Sequence, residues 1–133
     1  MELLYRATRD GMTGQCFHNK CDNKGETICL YKNEKGNIFG GYASIPWTND
    51  GSYHSAPDSF LFTLTNIHNI EPTKFFSKKD KKEFIIIMDL YLEVGPIYLS
   101  IIILVKVNAK YIFLILIKIL QEKEKLFLLG ILI

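Results

Sequence analysis

The stretch that decides the fold is Ser59-Phe60-Leu61-Phe62-Thr63-Leu64-Thr65, which is uncharged and rich in β-forming residues. Runs of this kind are typical of buried strands. Two earlier stretches, Thr27 to Lys32 and Ile38 to Ile45, flank a polar turn at residues 33–37, and this arrangement predicts a β-hairpin. Periodicity alone therefore predicts a mixed but β-rich domain.

Working outward toward the N-terminus, the run Glu2 to Ala7 predicts a further strand that ends at the turn Arg9-Asp10-Gly11. A helix follows, because Thr13 can cap its first turn and Asn23-Lys24-Gly25 supplies a C-terminal stop. Strands and a helix along one short segment place the domain in the α+β class.

Gly40 and Gly41 lie inside the second hairpin strand, where glycine weakens a sheet unless the backbone bulges or another segment approaches closely. No helix start follows them, so they do not predict a phosphate loop. Pro46 and Trp47 end that strand. The Trp47 side chain could either anchor a partner or pack at the rim of the core.

Composition divides the chain. The chain has 133 residues. Of its 18 isoleucines, 13 follow Glu83, whereas seven of its nine glycines precede Glu83. We therefore predict a partial domain at residues 1–76, a charged linker at 77–83 and an apolar tail at 84–133. The net charge of +2, without a basic stripe, argues against nucleic-acid binding. Charges within Met1 to Arg6 argue against a signal peptide.

Three cysteines, Cys16, Cys21 and Cys29, are an odd number and favour free thiols. Cys16, His18 and Cys21 point to different sides of a helix, so they do not predict a zinc site, and no metal or cofactor is expected. A cysteine nucleophile at Cys16 or Cys21 lacks an evident acid partner. Thiol-dependent peroxide chemistry is kept only as an alternative to a non-enzymatic protein.

Four ordered motifs carry a resemblance to a known family. They are Leu3-Leu4-Tyr5-Arg6-Ala7-Thr8-Arg9-Asp10-Gly11, Phe17-His18-Asn19-Lys20-Cys21-Asp22-Asn23-Lys24-Gly25, Ile38-Phe39-Gly40-Gly41-Tyr42 with Pro46-Trp47, and Ser59-Phe60-Leu61-Phe62-Thr63-Leu64. Together they resemble the motif series of the TLDc domain over roughly Leu3 to Phe76. The resemblance implies a sandwich of two antiparallel sheets with a few helices outside.

The resemblance also implies a non-enzymatic function: protection against oxidative stress, and binding and regulation of the vacuolar-type proton-pumping ATPase, with no cofactor. A cytoplasmic location follows from this expectation. The motif residues with a structural or partner-binding role are Arg6, Arg9, Asp10, Gly11, Phe17, His18, Cys21, Asp22, Gly25, Gly40, Gly41, Pro46, Trp47, Phe60 and Phe62. Arg6, Arg9 and Asp10 could form a partner-binding patch, or Arg9 and Asp10 could instead fix the turn before Gly11.

One family segment, Gly-Pro-x-Phe-Gly-Gly-Gly-x-Asp-Ile, is missing after the Phe60–Leu64 strand. Met88 has the single codon ATG, and both codons of Asp89 begin with GA. If the reading frame is shifted so that the last base of one codon is read with the first two bases of the next, these two codons give GGA, which encodes glycine. Permitted codons for the residues that follow can restore Gly-Pro-Ile-Phe-Gly-Gly-Gly-x-Asp. We therefore hypothesise a frame error from about Ile85, which would make the product a non-functional fragment; the alternative is a genuine divergent tail. Sequencing the transcript across Lys82 to Gly95 decides between them.

The tail at 84–133 could form helix or strand. Its two apolar stretches, Ile97 to Val105 and Tyr111 to Leu120, are each shorter than the ~20 residues of a membrane-spanning helix. Joining them would bury Lys106 and Lys110 in hydrocarbon. Membrane association through the tail is therefore an alternative to a purely cytoplasmic location.

Overall fold

A computed structural model describes residues 2–76 and 100–105. Their elements, in chain order, are β1 (Glu2–Arg6), α1 (Ala7–Asp10), α2 (Gly14–Cys21), β2 (Thr27–Lys32), β3 (Ile38–Ala43), β4 (Phe60–Thr65), β5 (Thr73–Phe76) and β6 (Ser100–Val105).

The six strands form one sheet in the order β1-β6-β2-β3-β4-β5, and every neighbouring pair is antiparallel. A β-rich, antiparallel domain with a few helices is therefore confirmed. The predicted hairpin is present as β2 and β3. Strand β3 ends at Ala43, earlier than predicted, because the next amide, Ser44 N–H, donates to the Ser59 hydroxyl at 3.0 Å. The described elements make up a single sheet, and a second sheet of the expected sandwich is not among them.

Both faces of the sheet carry buried side chains. On one face, α2 contributes Phe17 and Cys21 to a cluster with Tyr5, Cys29 and Trp47. The opposite face is also apolar and consists of residues that alternate with the first set: Ile28, Leu30, Tyr42, Phe60, Phe62 and Leu64, each at most 4% exposed. Strand alternation thus sorts the core into a helix-covered layer and a second apolar layer.

Gly40 marks a close approach inside the sheet, which is one of the two alternatives that glycine inside a strand leaves open. A Cβ at this position would overlap the Cys29 carbonyl oxygen and lie 2.7 Å from Phe62 Cζ. The first contact is with backbone of the neighbouring strand, which cannot move aside without breaking the ladder between β2 and β3. Only glycine fits there.

Strand β6 shows that part of the apolar tail is strand-forming. Its backbone pairs with β1 on one side and β2 on the other, with Leu30 opposite Ile102. The predicted linker and the stretch Tyr111 to Leu120 lie outside the described residues, as does the segment at 85–99 where the frame hypothesis begins. Within the described ranges, no helix combines the length and apolar character needed to cross a bilayer.

Candidate protein-binding site

Three of the four motifs meet at the corner where β1 turns into α1. Asp10 is the centre of this corner: its Oδ2 accepts the Arg6 backbone N–H at 2.9 Å, and its two oxygens accept Arg9 Nε at 2.9 Å and an Arg9 terminal nitrogen at 2.7 Å. That nitrogen also donates to the Leu4 carbonyl at 3.4 Å. We call this set, Leu4, Arg6, Arg9 and Asp10, the clasp.

The clasp stabilises the charged form of Asp10. Hydrogen bonds from the Arg9 side chain, and next from the Arg6 backbone, lower the pKa of Asp10 to about 2. The Lys20 ammonium lies 4.0 Å from Asp10 Oδ1, and the Asp10 side chain is only 10% exposed. Asp10 is therefore ionised throughout the physiological range, and two cations surround it.

The geometry shows how Arg9 and Asp10 contribute both to the turn and to the exposed surface. They do fix the turn, because both bind backbone groups of β1. The turn contains one helical turn, α1, which the sequence did not predict, before Gly11. Half of the Arg9 side chain nevertheless remains exposed, so turn fixing leaves Arg9 accessible to a partner.

Gly11 continues the corner with a backbone that other residues rarely adopt, at φ +106°. Its carbonyl accepts the Tyr5 hydroxyl at 2.5 Å, and a Cβ would lie 2.8 Å from Cys16 Sγ. The backbone conformation therefore requires glycine at this point, and any larger residue would also displace the Cys16 side chain.

Helix α2 is held against this corner by an aromatic cluster. Thr13 caps the helix as predicted, since its hydroxyl accepts the Cys16 N–H at 3.2 Å. The Phe17 ring contacts Tyr5, His18 and Trp47 edge-on, with centroids 5.2 to 5.6 Å apart. Such edge contacts add stability beyond the area they bury.

Trp47 lies in the core rather than on the surface, with 3% exposure. Its indole N–H donates to the buried Thr27 hydroxyl at 2.7 Å, and its carbonyl accepts the Asn23 N–H at 3.0 Å. Of the two interpretations of Trp47, the geometry supports a core tryptophan that ties the β3–β4 loop to the end of α2.

His18 and Cys21 of α2, and Cys29 of β2, have structural surroundings. His18 Nδ1 lies 2.8 Å from Asp22 Oδ1. Burial raises the pKa of Cys21 to about 12 and also raises that of Cys29, so both thiols stay protonated at neutral pH. Protonated thiols are poor nucleophiles and poor metal ligands. Among the described residues, no group of three His, Cys, Asp or Glu side chains is placed to hold a metal ion.

The loop after Trp47 has its own polar cluster. His54 Nε2 lies 2.9 Å from Asp50 Oδ2 and 3.2 Å from the Thr48 hydroxyl, and Asp50 also accepts the Ser52 N–H at 2.8 Å. The Ser52 amide, and next the His54 side chain, lower the pKa of Asp50. These bonds give the loop a defined shape at the surface.

The exposed part of the clasp corner is cationic and apolar. The Arg9 and Lys20 side chains are 50% and 52% exposed, and Met12 between them in sequence is 54% exposed. We call these three residues the corner surface. Two positive charges held around one half-buried carboxylate, with an exposed thioether two residues further along the chain, suit an acidic and apolar segment of another protein.

The other motif residues lie elsewhere. Gly40, Gly41, Phe60 and Phe62 belong to the sheet, Pro46 lies in the β3–β4 loop, and Gly25, at φ +86°, forms the turn before β2. Sequence reasoning missed Tyr5 and Thr27 as corner residues. Tyr5 could have been suspected as the one hydroxyl-bearing aromatic of its strand, but nothing local to Thr27 indicates that it faces an indole.

Comparison with known proteins adds one match. A family model described as the TLDc domain matches residues 1–103. The match continues past Phe76, where the resemblance quoted from the motifs ends, and includes Ser100–Ile103 of β6. No curated protein matches the chain.

Proposed function

Because the chain belongs to the TLDc domain family, we propose that it is a non-enzymatic module that binds another protein. The observation that carries the proposal is the corner surface: Arg9 and Lys20 are held around Asp10 yet remain half exposed. Cations fixed in this way lose little conformational freedom when they bind a carboxylate. Of the two candidate nucleophiles, Cys16 and Cys21, the thiol of Cys21 is buried and protonated, which disfavours a thiol enzyme that uses Cys21.

We take the proposed partner class from the family resemblance. We propose that it is a subunit of the vacuolar-type proton-pumping ATPase, that binding regulates this pump in the cytoplasm, and that protection against oxidative stress is the cellular outcome. Family membership supports each of these steps. The contact would be made by the corner surface and the ordered loop at Thr48 to His54.

A second sheet completes the proposed domain. The face formed by Ile28, Leu30, Tyr42, Phe60 and Phe62 is buried and apolar, and α2 lies on the opposite face. An apolar sheet face of this size needs a covering layer, and a second antiparallel sheet is the common solution in β-rich domains. We propose the two-sheet sandwich on this ground.

The binding test uses the 133-residue chain as bait for purified ATPase subunits. Lys20→Glu reverses one exposed charge, and we expect it to reduce retention at least about tenfold, as loss of a charged contact at an interface does. Lys35→Glu, in the exposed β2–β3 turn, is the matched control and should bind like the natural chain. Equal binding by both variants would remove the corner surface from the proposal, and no binding by the natural, folded chain would overturn the partner.

A further inference from the structure

The chain contains two Asp-Gly pairs, Asp10-Gly11 and Asp50-Gly51, and they lie in opposite surroundings. In such a pair the backbone nitrogen of the glycine can attack the aspartate carboxyl carbon, because glycine has no Cβ to obstruct the approach. The product is a cyclic imide, a succinimide, which water reopens either to aspartate or to isoaspartate. The same reaction can therefore be compared at two places in one molecule.

The Asp10-Gly11 pair is held in a form that resists cyclisation. Its nucleophile is fixed at the end of α1, since the Gly11 N–H donates to the Ala7 carbonyl at 3.0 Å. Both carboxylate oxygens of Asp10 accept hydrogen bonds from Arg9, and the Asp10 side chain is only 10% exposed. A Cβ built on Gly11 would lie 2.8 Å from Cys16 Sγ, so the backbone has little room to turn. The clasp therefore protects this pair.

The Asp50-Gly51 pair lies at the surface, in the β3–β4 loop. The Asp50 side chain is 48% exposed, and a Cβ built on Gly51 would meet no atom within 4 Å. Among the described residues, no backbone carbonyl accepts the Gly51 N–H. The Gly51 nitrogen is therefore accessible and its surroundings leave room for the backbone to turn toward Asp50.

Two neighbours of Asp50 are placed to assist the reaction. The Ser52 N–H donates to Asp50 Oδ1 at 2.8 Å, which stabilises negative charge on this oxygen while the nitrogen adds to the carboxyl carbon. His54 Nε2 lies 2.9 Å from Asp50 Oδ2, within reach for proton transfer to that oxygen. The same two contacts lower the pKa of Asp50, so the carboxyl group is ionised at rest and needs a donated proton to react.

We propose that Asp50 converts spontaneously to isoaspartate in the folded chain, through a succinimide with Gly51 and with His54 as the proton donor, and that Asp10 is protected. The bond from Gly51 N to Asp50 Cγ forms and the bond from Cγ to Oδ2 breaks. Oδ2 leaves as water, with the amide proton of Gly51 and one proton from the imidazolium of His54. Hydrolysis then adds one water across the ring.

Isoaspartate at position 50 would change the loop. Its backbone contains one extra methylene group, and its carboxylate stands one carbon nearer the main chain. The bonds from Asp50 to Ser52 and His54 cannot both persist in this geometry. The reaction needs no partner, so it is independent of the proposed function.

The test uses the full 133-residue chain, with Trp47 fluorescence to follow the folded state. The chain is aged at mildly acidic pH and digested, and isoaspartate is measured at each site by peptide chromatography and electron-transfer fragmentation. We expect Asp50 to react at least about tenfold faster than Asp10, because Asp10 reacts only when the clasp opens locally. In urea, which removes both surroundings, the two rates should converge. Equal rates at the two sites in the folded chain would overturn the proposal.

Two variants test the loop chemistry. Gly51→Asn tolerates the φ of +69° but adds a side chain beside the nucleophile, and should slow the reaction of Asp50 at least about tenfold. His54→Gln keeps a hydrogen-bond donor but supplies no proton, and we expect a loss of at least about tenfold at Asp50. Neither variant should change the rate at Asp10. An Asp50 rate that is unchanged in either variant would contradict the proposed reaction.

Discussion

The two outer strands of the sheet, β1 and β5, differ in the hydrogen bonds made by the segments next to them. At β1, the residues that follow the strand turn back, and Asp10 and Arg9 bind its outer backbone groups. At β5, the residues before the strand form a self-contained turn in which Asn66 accepts the His68 and Ile70 amides. The Asn66 bonds stabilise the turn that leads into β5 and do not involve the strand itself.

The comparison teaches that edge protection is a local property of sequence. Arg9 and Asp10 lie within five residues of the groups they cap, so the sequence from Leu4 to Asp10 contains both the strand and its protection. The β5 segment Thr73–Phe76 has no acidic residue after it until Asp80. The β1 edge is therefore a closed edge, capped by residues of its own motif.

The largest expected effect is on the free energy of unfolding. It compares a ring in the core beside β1 with a ring in β5. Phe17→Ala removes the ring that Tyr5, His18 and Trp47 surround, and we expect it to lower the free energy of unfolding by about 3–5 kcal/mol. Phe75→Ala, in β5, should cost less than about 1 kcal/mol because half of the side chain is already in solvent. Urea unfolding of both variants checks this, and equal costs would contradict the contrast.

A second prediction concerns β3, which lies between the two edges. Gly40→Ala forces a methyl group against the Cys29 carbonyl and Phe62, and we expect it to cost about 3 kcal/mol. Gly14→Ala is the matched control: no atom lies within 4 Å of its Cβ, and alanine favours helix by about 0.5 kcal/mol there. Thermal unfolding should therefore move in opposite directions for the two variants. A harmless Gly40→Ala would mean that the β2–β3 contact is looser than described.

The third prediction concerns loss of the side-chain cap on β1. Asp10→Ala removes the acceptor of the Arg6 N–H and frees Arg9, and we expect a loss of about 1–2 kcal/mol in unfolding free energy. Without its cap, the β1 edge should also add association, visible in sedimentation as species larger than those of the natural chain. Lys20→Ala, which leaves the clasp bonds in place, should do neither. Aggregation by both variants would assign the effect to surface charge.

The sequence predicts the local elements well because their signals are local. Thr13 caps α2, the polar turn at 33–37 joins β2 to β3, and the Gly40 contact follows from glycine inside a strand. It does not predict β6, since an uninterrupted isoleucine run has no periodicity that separates strand from helix. Insertion of Ser100–Val105 between β1 and β2 is a long-range pairing that no spacing encodes.

The candidate site follows the same division. Asp10 and Arg9 were identifiable as turn residues, whereas the Tyr5 to Gly11 and Trp47 to Thr27 bonds join segments whose approach depends on the whole fold. The corner surface could be suspected from the motifs. The exposed fractions of its three side chains are known only from the structure.

The smallest expected effect is the pH dependence of the clasp. The folded pKa of Asp10 is about 2, below the unfolded value of about 3.9, so the clasp stabilises the fold above pH 4 and loses this contribution as the pH falls toward 2. Asp10→Asn keeps the shape but not the charge. The natural chain should therefore be more stable than this variant at pH 6, and the gap should close between pH 4 and pH 2. Fluorescence of Trp47, the single tryptophan, reports unfolding in urea at each pH. Because Asp50 titrates in both proteins, its contribution cancels, and a gap that stays constant down to pH 2 would show that the Asp10 charge contributes nothing to the closed edge.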